Sequence, residues 1–406
     1  MLWAGKIFFV TGALLVLQSA LALFDGFRFL ALVRRRLRGT PATYAPFAAV
    51  LIPCKGVDAG FDSNVEAFLN QDYPNYQVVF IVATLEDPAY DKLRARLDGR
   101  LTSGIIPKPQ AKLVVAGIAE GRGEKVNNLC RGIEAVDQSA EVLVFADIDA
   151  TPSPDWLVAL VAPLANHQIT VSTGFRWYLP GEGFVSRLRA AWDTSVATMM
   201  GEHDHNFAWG GSMAIRAADF HKMGIAKRYW ANTVSDDYAM TRAVREAGGK
   251  IVFVPKCLVA SRKESGLREF LRWTTRQIIV TRVYAAHLWR MGLAAYLLYC
   301  STFILGIVAL AMPSATAYHR PAVAAILLVV LLLGAGKGYI RTRVAREVFP
   351  METGGGSCYW QLSPLVPWIM LANFIVAGFT RRIEWRGTEY ELVSQDQVRV
   401  IRKSAI

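Results

Sequence analysis

Two aspartates, Asp147 and Asp149, stand one residue apart just after the apolar run Val142 to Phe145. Such a run of strand-forming residues predicts a fully buried strand. Ligands of open α/β sheets bind beyond the carboxyl ends of strands, where two carboxylates can share a Mg²⁺ or Mn²⁺ that holds substrate phosphates. Alone, the pair is weak evidence, because Asp149 could simply begin a loop and Asp147 cap a turn.

Two further predicted strands also end in polar residues. Lys55 follows the strand predicted over 47–52, and Asp87 follows the strand predicted over 76–84. Helical patterns lie between these strands, and the alternation predicts βαβ units with a parallel sheet. Right-handed crossovers place such strand ends along one edge, which favours a nucleotide site. The sequence has no Gly-x-Gly-x-x-Gly and no Walker-type motif, so dinucleotide and P-loop sites lose support.

A lysine and two aspartates lie at predicted helix starts. Lys125 opens a helix predicted over 124–136, where a cation opposes the helix dipole unless an anion such as a diphosphate lies close. A solvated lysine is the alternative. Asp236 and Asp237 precede a helix predicted over 239–247, so they either stabilise its first turn or supply a general base beside the substrate.

The composition indicates a membrane protein, since 53% of the 406 residues are hydrophobic. Apolar runs near the N-terminus, at Leu293 to Met312 and around 322–335 are long enough to span a bilayer. The run Tyr359 to Phe379 contains Pro364 and Pro367, so we predict a broken or re-entrant helix there.

The basic residues define orientation and localisation. Arginines at 34–38 and 381–386 flank apolar runs, which predicts that both lie in the cytoplasm, most simply at a bacterial inner membrane. Much of the net charge of +12 lies beside membrane segments, which favours anionic lipid over nucleic acid. The five cysteines show no paired spacing and no His/Cys cluster offers a zinc site, as expected for a reduced compartment.

These patterns predict five regions. They are an N-terminal membrane anchor over 1–38, a cytoplasmic catalytic domain over 44–264, an amphipathic interfacial helix over 265–290, membrane segments over 291–380 and a cytoplasmic tail over 381–406. In the interfacial helix, Arg268, Arg272 and Arg276 share one face beside aromatic residues such as Trp273. The alternative is a solvated or lipid-facing basic stripe, particularly at Arg276.

The ordered set of motifs resembles that of family 2-type inverting glycosyltransferases with the GT-A fold, most closely the ceramide glucosyltransferase family. In such enzymes three aspartates and a Gln/Arg-x-x-Arg-Trp motif mark the active site. They correspond here to Asp87, Asp147 and Asp237 with Arg272-Trp273, although Glu269 departs from the motif. The similarity rests on Pro53-Cys-Lys-Gly-Val-Asp58, Gln71-Asp-Tyr-Pro74, Glu86-Asp-Pro-Ala89, Lys125-Val-Asn-Asn-Leu129, Asp147, Ser235-Asp-Asp-Tyr238 and Arg272-Trp273, with a weaker match at 383–390.

The resemblance implies transfer of one sugar from a nucleotide-sugar, UDP-hexose, to a membrane lipid with inversion. It implies that Asp237 is the general base, with Asp236 as rival, and that Arg272 and Trp273 complete the catalytic set. A ceramide, hopanoid, diacylglycerol or polyprenyl-phosphate acceptor stays open, as does a non-catalytic scaffold or transporter. We predict donor binding by Lys55, Asp87, Lys125 and Asp147, and binding of Mg²⁺ or Mn²⁺ by Asp147 and Asp149.

Overall fold

A computed structural model describes residues 2–39, 43–101, 109–262, 264–311, 319–351 and 359–403. The chain forms two compact units, each built from three separate segments. The first comprises Met1–Arg34, Tyr178–Met199 and Arg262–Thr380, and the second comprises Arg35–Trp177, Met200–Ser261 and Arg381–Ile406.

The helices are, in chain order, α1 (Leu2–Arg38), α2 (Phe61–Leu69), α3 (Pro88–Leu101), α4 (Glu124–Glu134), α5 (Trp156–Val161), α6 (Phe184–Ala197), α7 (Ala217–Lys222), α8 (Asp236–Glu246), α9 (Leu267–Tyr284), α10 (Ala286–Ala311), α11 (Arg320–Val348), α12 (Tyr359–Leu362) and α13 (Val366–Phe379). A 3₁₀ turn follows α5 at Ala162–Ala165, and a π turn precedes α8 at Ile225–Tyr229. The predicted helix at 239–247 in fact begins at Asp236, because Ser235 caps it by accepting a hydrogen bond from the Tyr238 amide.

A seven-stranded mixed sheet organises the second unit. Its strands lie in the order β3-β2-β1-β4-β6-β5-β7. The first four are parallel, whereas β6 runs antiparallel to both β4 and β5. The α/β prediction of a mixed, largely parallel sheet is confirmed. The strands are β1 (Ala48–Pro53), β2 (Tyr76–Val82), β3 (Gln110–Val115), β4 (Val142–Ala146), β5 (Ile169–Tyr178), β6 (Ser212–Arg216) and β7 (Lys250–Ser261).

Helices cover both faces of this sheet, which explains why its central strands are continuously apolar. Successive residues of a strand point to opposite faces. Val144 therefore packs in one core cluster with Phe68 of α2 and Trp156 of α5. Its neighbour Phe145 packs in the other cluster, with Leu129 of α4 and residues of α8.

The C-terminal segment forms a second, antiparallel sheet with the order β10-β9-β8. Its strands are β8 (Arg382–Trp385), β9 (Thr388–Ser394) and β10 (Gln397–Lys403). The region predicted as a simple tail over 381–406 is thus folded across its described residues and groups with the second unit. Conversely, Tyr178–Met199, which lies inside the domain predicted over 44–264, groups with the first unit.

Within the described residues of the first unit, three helices are long and apolar enough to cross a membrane, α1, α10 and α11. The predicted helix over 265–290 is interrupted at Ala285, where the backbone leaves helical geometry between α9 and α10. The run Tyr359 to Phe379 is divided into α12 and α13, as its prolines predicted. At about 1.5 Å per residue, the 14-residue α13 spans about 21 Å, less than the roughly 30 Å of a hydrocarbon core.

Candidate active site

The ends of three neighbouring strands form one edge of the large sheet. Because β1 lies between β2 and β4, the residues that follow these strands, Lys55, Asp87 and Asp147, are adjacent, as predicted. Asp87 is 4% exposed, and its Oδ1 accepts hydrogen bonds from the amides of Gly56 (2.8 Å) and Ala89 (2.9 Å). It therefore joins the end of β2 to the loop after β1 and caps the start of α3.

Lys125 lies at the centre of a charged cluster at this edge. Its Nζ is 2.8 Å from Oδ1 of Asp147 and 3.1 Å from Oδ2 of Asp236, and it donates to the Gly210 carbonyl at 3.2 Å. Burial opposes its charge, but the two carboxylates outweigh burial and raise the pKa of Lys125. The anion that the helix start requires is thus supplied by protein carboxylates, and the alternative of a solvated lysine does not describe this side chain.

Two glycines allow the backbone to approach this cluster. A Cβ on Gly210 would overlap Oδ2 of Asp236 and lie 2.8 Å from Nζ of Lys125. A Cβ on Gly211 would lie 2.7 Å from Oδ2 of Asp147. Only glycine leaves room at both positions, so this loop fixes how closely the charged groups pack.

The two aspartates at the start of α8 lie in different environments. Asp236 is 2% exposed and faces Lys125. Burial, partly offset by Lys125, raises the pKa of Asp236 to about 6. Asp237 is half-buried, and its Oδ1 accepts hydrogen bonds from the Ser235 hydroxyl and from the Tyr238 amide, the latter at 2.7 Å.

Arg176 of β5 bridges the aspartate pair and was not predicted from the sequence. Its Nη2 lies 3.3 Å from Oδ2 of Asp147 and 2.6 Å from Oδ1 of Asp149. Burial disfavours the charge of Asp149, but Arg176 outweighs burial and lowers the pKa of Asp149 to about 2. The guanidinium also lies over the Trp209 ring, 5.4 Å from its centroid. A single arginine in a strand belongs to no motif, so no sequence signal identified it.

The donor set at Asp147 and Asp149 suits a hard divalent cation. Both carboxylates converge on one cationic nitrogen of Arg176, which shows that a positive charge can be shared between them. Within the described ranges no group of three or more His, Cys, Asp or Glu side chains is arranged for a metal. The protein would therefore supply two carboxylate ligands, and the others would be substrate or water oxygens.

A cavity opens beside this cluster within the second unit. Lys55 lies in its wall, where Nζ forms a 2.9 Å ion pair with Glu124. Asp87, Asp236 and Asp237 are not among the described residues that line it. Its polar wall is formed by Lys55, Glu124, Lys125, Asn128, Asp147 and Asp149, together with Trp385, Arg386 and Tyr390 from the C-terminal sheet.

The remaining predicted catalytic residues, Arg272 and Trp273, lie on α9 in the first unit. The Trp273 ring packs edge-on against Trp192 of α6, with centroids 5.1 Å apart. The buried guanidinium of Arg189 lies over it at 4.8 Å. Arg268 and Arg272 are exposed and Phe270 is fully buried, so α9 has the predicted amphipathic character.

Comparison with known proteins identifies the family. Residues 14–398 match the family model described as Glycosyl transferase family 21. The chain belongs to glycosyl transferase family 21. The prediction of a family 2-type glycosyltransferase resembling ceramide glucosyltransferases is therefore confirmed, as is the prediction of an enzyme.

One similar curated protein is ceramide glucosyltransferase 1 of Caenorhabditis elegans, which is 22% identical over 140 residues. The match covers 34% of this chain and 28% of the length of that protein. Among solved structures, one similar protein is a mannosyltransferase from Pyrobaculum calidifontis in complex with GDP-Man and Mn²⁺, which is 14% identical in sequence. The alignment has a TM-score of 0.46 and covers 91% of this chain and 99% of the mannosyltransferase chain. Glucosyl-3-phosphoglycerate synthase from Mycobacterium tuberculosis is 16% identical, with a TM-score of 0.37 over 62% of this chain and 82% of its own.

Proposed function

We propose that this family 21 glycosyltransferase moves one hexose from a UDP-sugar to a membrane lipid with inversion, in the manner of a ceramide glucosyltransferase. One observation carries the proposal most strongly. The charged cluster of Lys125, Asp147 and Asp236 lies at the carboxyl ends of the parallel strands of the large sheet. The chain matches the family over nearly its whole length. The family membership decides against a non-catalytic scaffold or a transporter.

Donor binding is assigned to the cavity at this edge. Lys55 and Lys125 place two cations in its wall, where they would attract the diphosphate and stabilise the charge that develops as it leaves. Lys125 is held by two carboxylates, so its ammonium group is oriented before substrate arrives. Asp87 accepts a hydrogen bond from the Gly56 amide and so fixes the loop that contains Lys55 and Gly56. We therefore retain Asp87 as a donor-binding residue that acts by positioning this loop.

A Mg²⁺ or Mn²⁺ ion is proposed at Asp147 and Asp149. When bound, it would act as a Lewis acid that polarises the diphosphate. The chain's own contribution is the pair of carboxylates, of which Asp149 has a lowered pKa because Arg176 outweighs its burial. Arg176 neutralises the same oxygens, so we expect its guanidinium to exchange places with the cation.

Asp237 is proposed as the general base. A base must reach the acceptor hydroxyl, and Asp237 is the more exposed of the two aspartates at the start of α8. Both of its hydrogen bonds end on Oδ1, so Oδ2 is the oxygen that would take the proton. Asp236 is buried against Lys125 and acts electrostatically. The catalytic roles of Arg272 and Trp273 are proposed from the resemblance, and within the first unit Arg189 and Trp192 hold the Trp273 ring.

The lipid acceptor and the membrane location are supported by exposed apolar surface. Side chains that are about half exposed or more follow a three- and four-residue spacing along α1, which is one helical face. Water would disfavour such a stripe, whereas lipid would cover it. The stripe consists of Ile7, Val10, Leu14, Leu17, Leu21 and Phe24, and α10 carries a similar set at Ile304, Ile307 and Val308.

In the proposed topology, the protein lies in a bacterial inner membrane and its catalytic domain is on the cytoplasmic side. With α1, α10 and α11 as the crossings, two follow the catalytic domain and return the chain to its own side. Arginines 34–38 and 381–386 then share the cytoplasm, and the short α13 does not cross. Labelling of a cysteine introduced near Ile406 by an impermeant reagent from outside would contradict this topology.

The activity is tested with the full-length protein in lipid nanodiscs, supplied with labelled UDP-glucose and a lipid extract. We expect a labelled lipid with the wild type. Asp237→Asn should lower kcat by roughly a hundred- to ten-thousand-fold while leaving the Kd for UDP-glucose nearly unchanged. An inactive Asp236→Asn variant beside an active Asp237→Asn variant would reverse the assignment of the base. Parallel assays with GDP-mannose, and with hopanoid, diacylglycerol or polyprenyl-phosphate in place of ceramide, identify donor and acceptor.

A further inference from the structure

The C-terminal sheet contributes Trp385, Arg386 and Tyr390 to the wall of the cavity. The three aspartates and the Arg-Trp motif that mark family active sites all lie before residue 274, so none of them accounts for this segment. Its position raises the question of whether it binds the donor.

A tight turn places Arg386 at the cavity. Trp385 pairs with Thr388 across β8 and β9, which leaves Arg386 and Gly387 as a two-residue turn. Their φ angles are 45° and 80°, the left-handed values of a type I′ hairpin turn. Arg386 is the one non-glycine residue in the described part of the chain with a positive φ. Such a backbone conformation is uncommon for a residue with a side chain as long as that of arginine, so the presence of arginine at this position needs a reason.

The Arg386 guanidinium is held against the loop that follows β1. Its Nη1 donates to the Lys55 carbonyl at 3.0 Å, and its Nη2 lies 2.8 Å from Oδ2 of Asp58. These contacts fix a positive charge at the rim of the cavity, on the side where Lys55 enters. A guanidinium presents a planar set of donors that matches phosphate oxygens.

The same cavity contains a buried amide oxygen that lacks a hydrogen-bond partner. Asn128 of α4 is 2% exposed, and its Oδ1 accepts no hydrogen bond from any residue in the described ranges. Tyr390 lies close by in the chain fold, because its hydroxyl accepts from the Glu124 amide at the start of α4, at 3.3 Å. An unsatisfied buried amide beside a cavity indicates a ligand group that completes its hydrogen bonding.

Building on the proposed function, we propose that the C-terminal hairpin forms part of the donor site. Arg386 binds the diphosphate, and Asn128 forms hydrogen bonds with the nucleoside. Trp385 closes the wall between them. The chemical class of the ligand is a nucleoside diphosphate, and the hairpin of β8 and β9 is a binding element of the catalytic unit.

The test compares binding of UDP and of uridine to full-length protein by calorimetry. Arg386→Gln removes the charge and keeps a polar side chain, and Arg402→Gln on β10 is the matched control outside the cavity. We expect Arg386→Gln to weaken UDP binding at least tenfold and to leave uridine binding unchanged. Asn128→Ala should weaken UDP and uridine by the same factor. Arg402→Gln should change neither.

Different results would contradict the role of Arg386 and the proposed function. If the wild type binds UDP and Arg386→Gln binds UDP equally well, the role of Arg386 is wrong while the function stands. Equal losses of UDP and uridine affinity in Arg386→Gln would show a purely structural role and also overturn it. A wild type that does not bind UDP would overturn the proposed donor itself.

Discussion

Replacing Asp236 with asparagine should stabilise the protein above pH 6. The pKa of Asp236 rises from 3.8 to about 6 because burial outweighs the attraction of Lys125. The folded state therefore binds the proton more tightly than the unfolded chain, and stability falls as pH rises from 3.8 to about 6. Above pH 6, the difference between the unfolded pKa of 3.8 and the folded pKa of about 6 corresponds to about 3 kcal/mol of destabilisation. Asparagine has the same shape and carries no charge, so Asp236→Asn avoids this cost.

The assay is thermal unfolding of the detergent-solubilised protein in EDTA, at pH 8 and pH 5. At roughly 1–2 °C per kcal/mol for a chain of this length, the Tm of Asp236→Asn should exceed that of the wild type by about 3–6 °C at pH 8, with a smaller difference at pH 5. The control is Asp62→Asn, whose side chain is 78% exposed and should give the same small effect at both pH values. A lower Tm for Asp236→Asn at pH 8, or a difference independent of pH, would refute the reasoning.

Three further predictions concern neighbouring residues. Gly210→Ala forces a Cβ onto the Asp236 carboxylate and should lower stability by about 1–3 kcal/mol, measured as a fall in Tm, with loss of transfer. Asp87→Ala removes the acceptor of two backbone amides and should cost about 1–2 kcal/mol, whereas Asp87→Asn keeps an acceptor oxygen and should cost less; equal losses would contradict the capping role. Arg176→Met removes the cation that competes at Asp147 and Asp149 and should tighten Mn²⁺ binding about tenfold, measured by electron paramagnetic resonance; weaker binding would show that Arg176 supports the metal site.

Strands β1, β2 and β4 of the large sheet could be predicted from sequence because they are buried on both faces. Val142–Ala146 is a continuous apolar run, and the predicted strand matches β4 residue for residue. Strand β5 gave no such signal, since it contains Ser172 and Thr173. Both are fully buried because their hydroxyls donate to the carbonyls of Leu160 and Ser212, which a sequence pattern does not reveal.

The site could be predicted where a polar residue follows an apolar strand or lies at a helix start, as Lys125 and Asp236 do. Lys55, Asp87 and Asp147 follow apolar runs and were identified on that basis. Arg176 and Arg386 reach the same edge from β5 and from the C-terminal hairpin, far away in sequence, and only the tertiary fold brings them there. The break at Ala285 was equally hidden, because neither glycine nor proline marks it.

The central claim is that Asp147 and its neighbours transfer a sugar to a lipid. Mass spectrometry of total lipids from cells that express the wild type or Asp147→Asn, at equal protein levels, tests it most directly. We expect cells with the wild type to contain a lipid heavier by one hexose. We expect this lipid to be absent from cells with Asp147→Asn. Identical lipid profiles in the two, or the same hexosylated lipid in both, would contradict it.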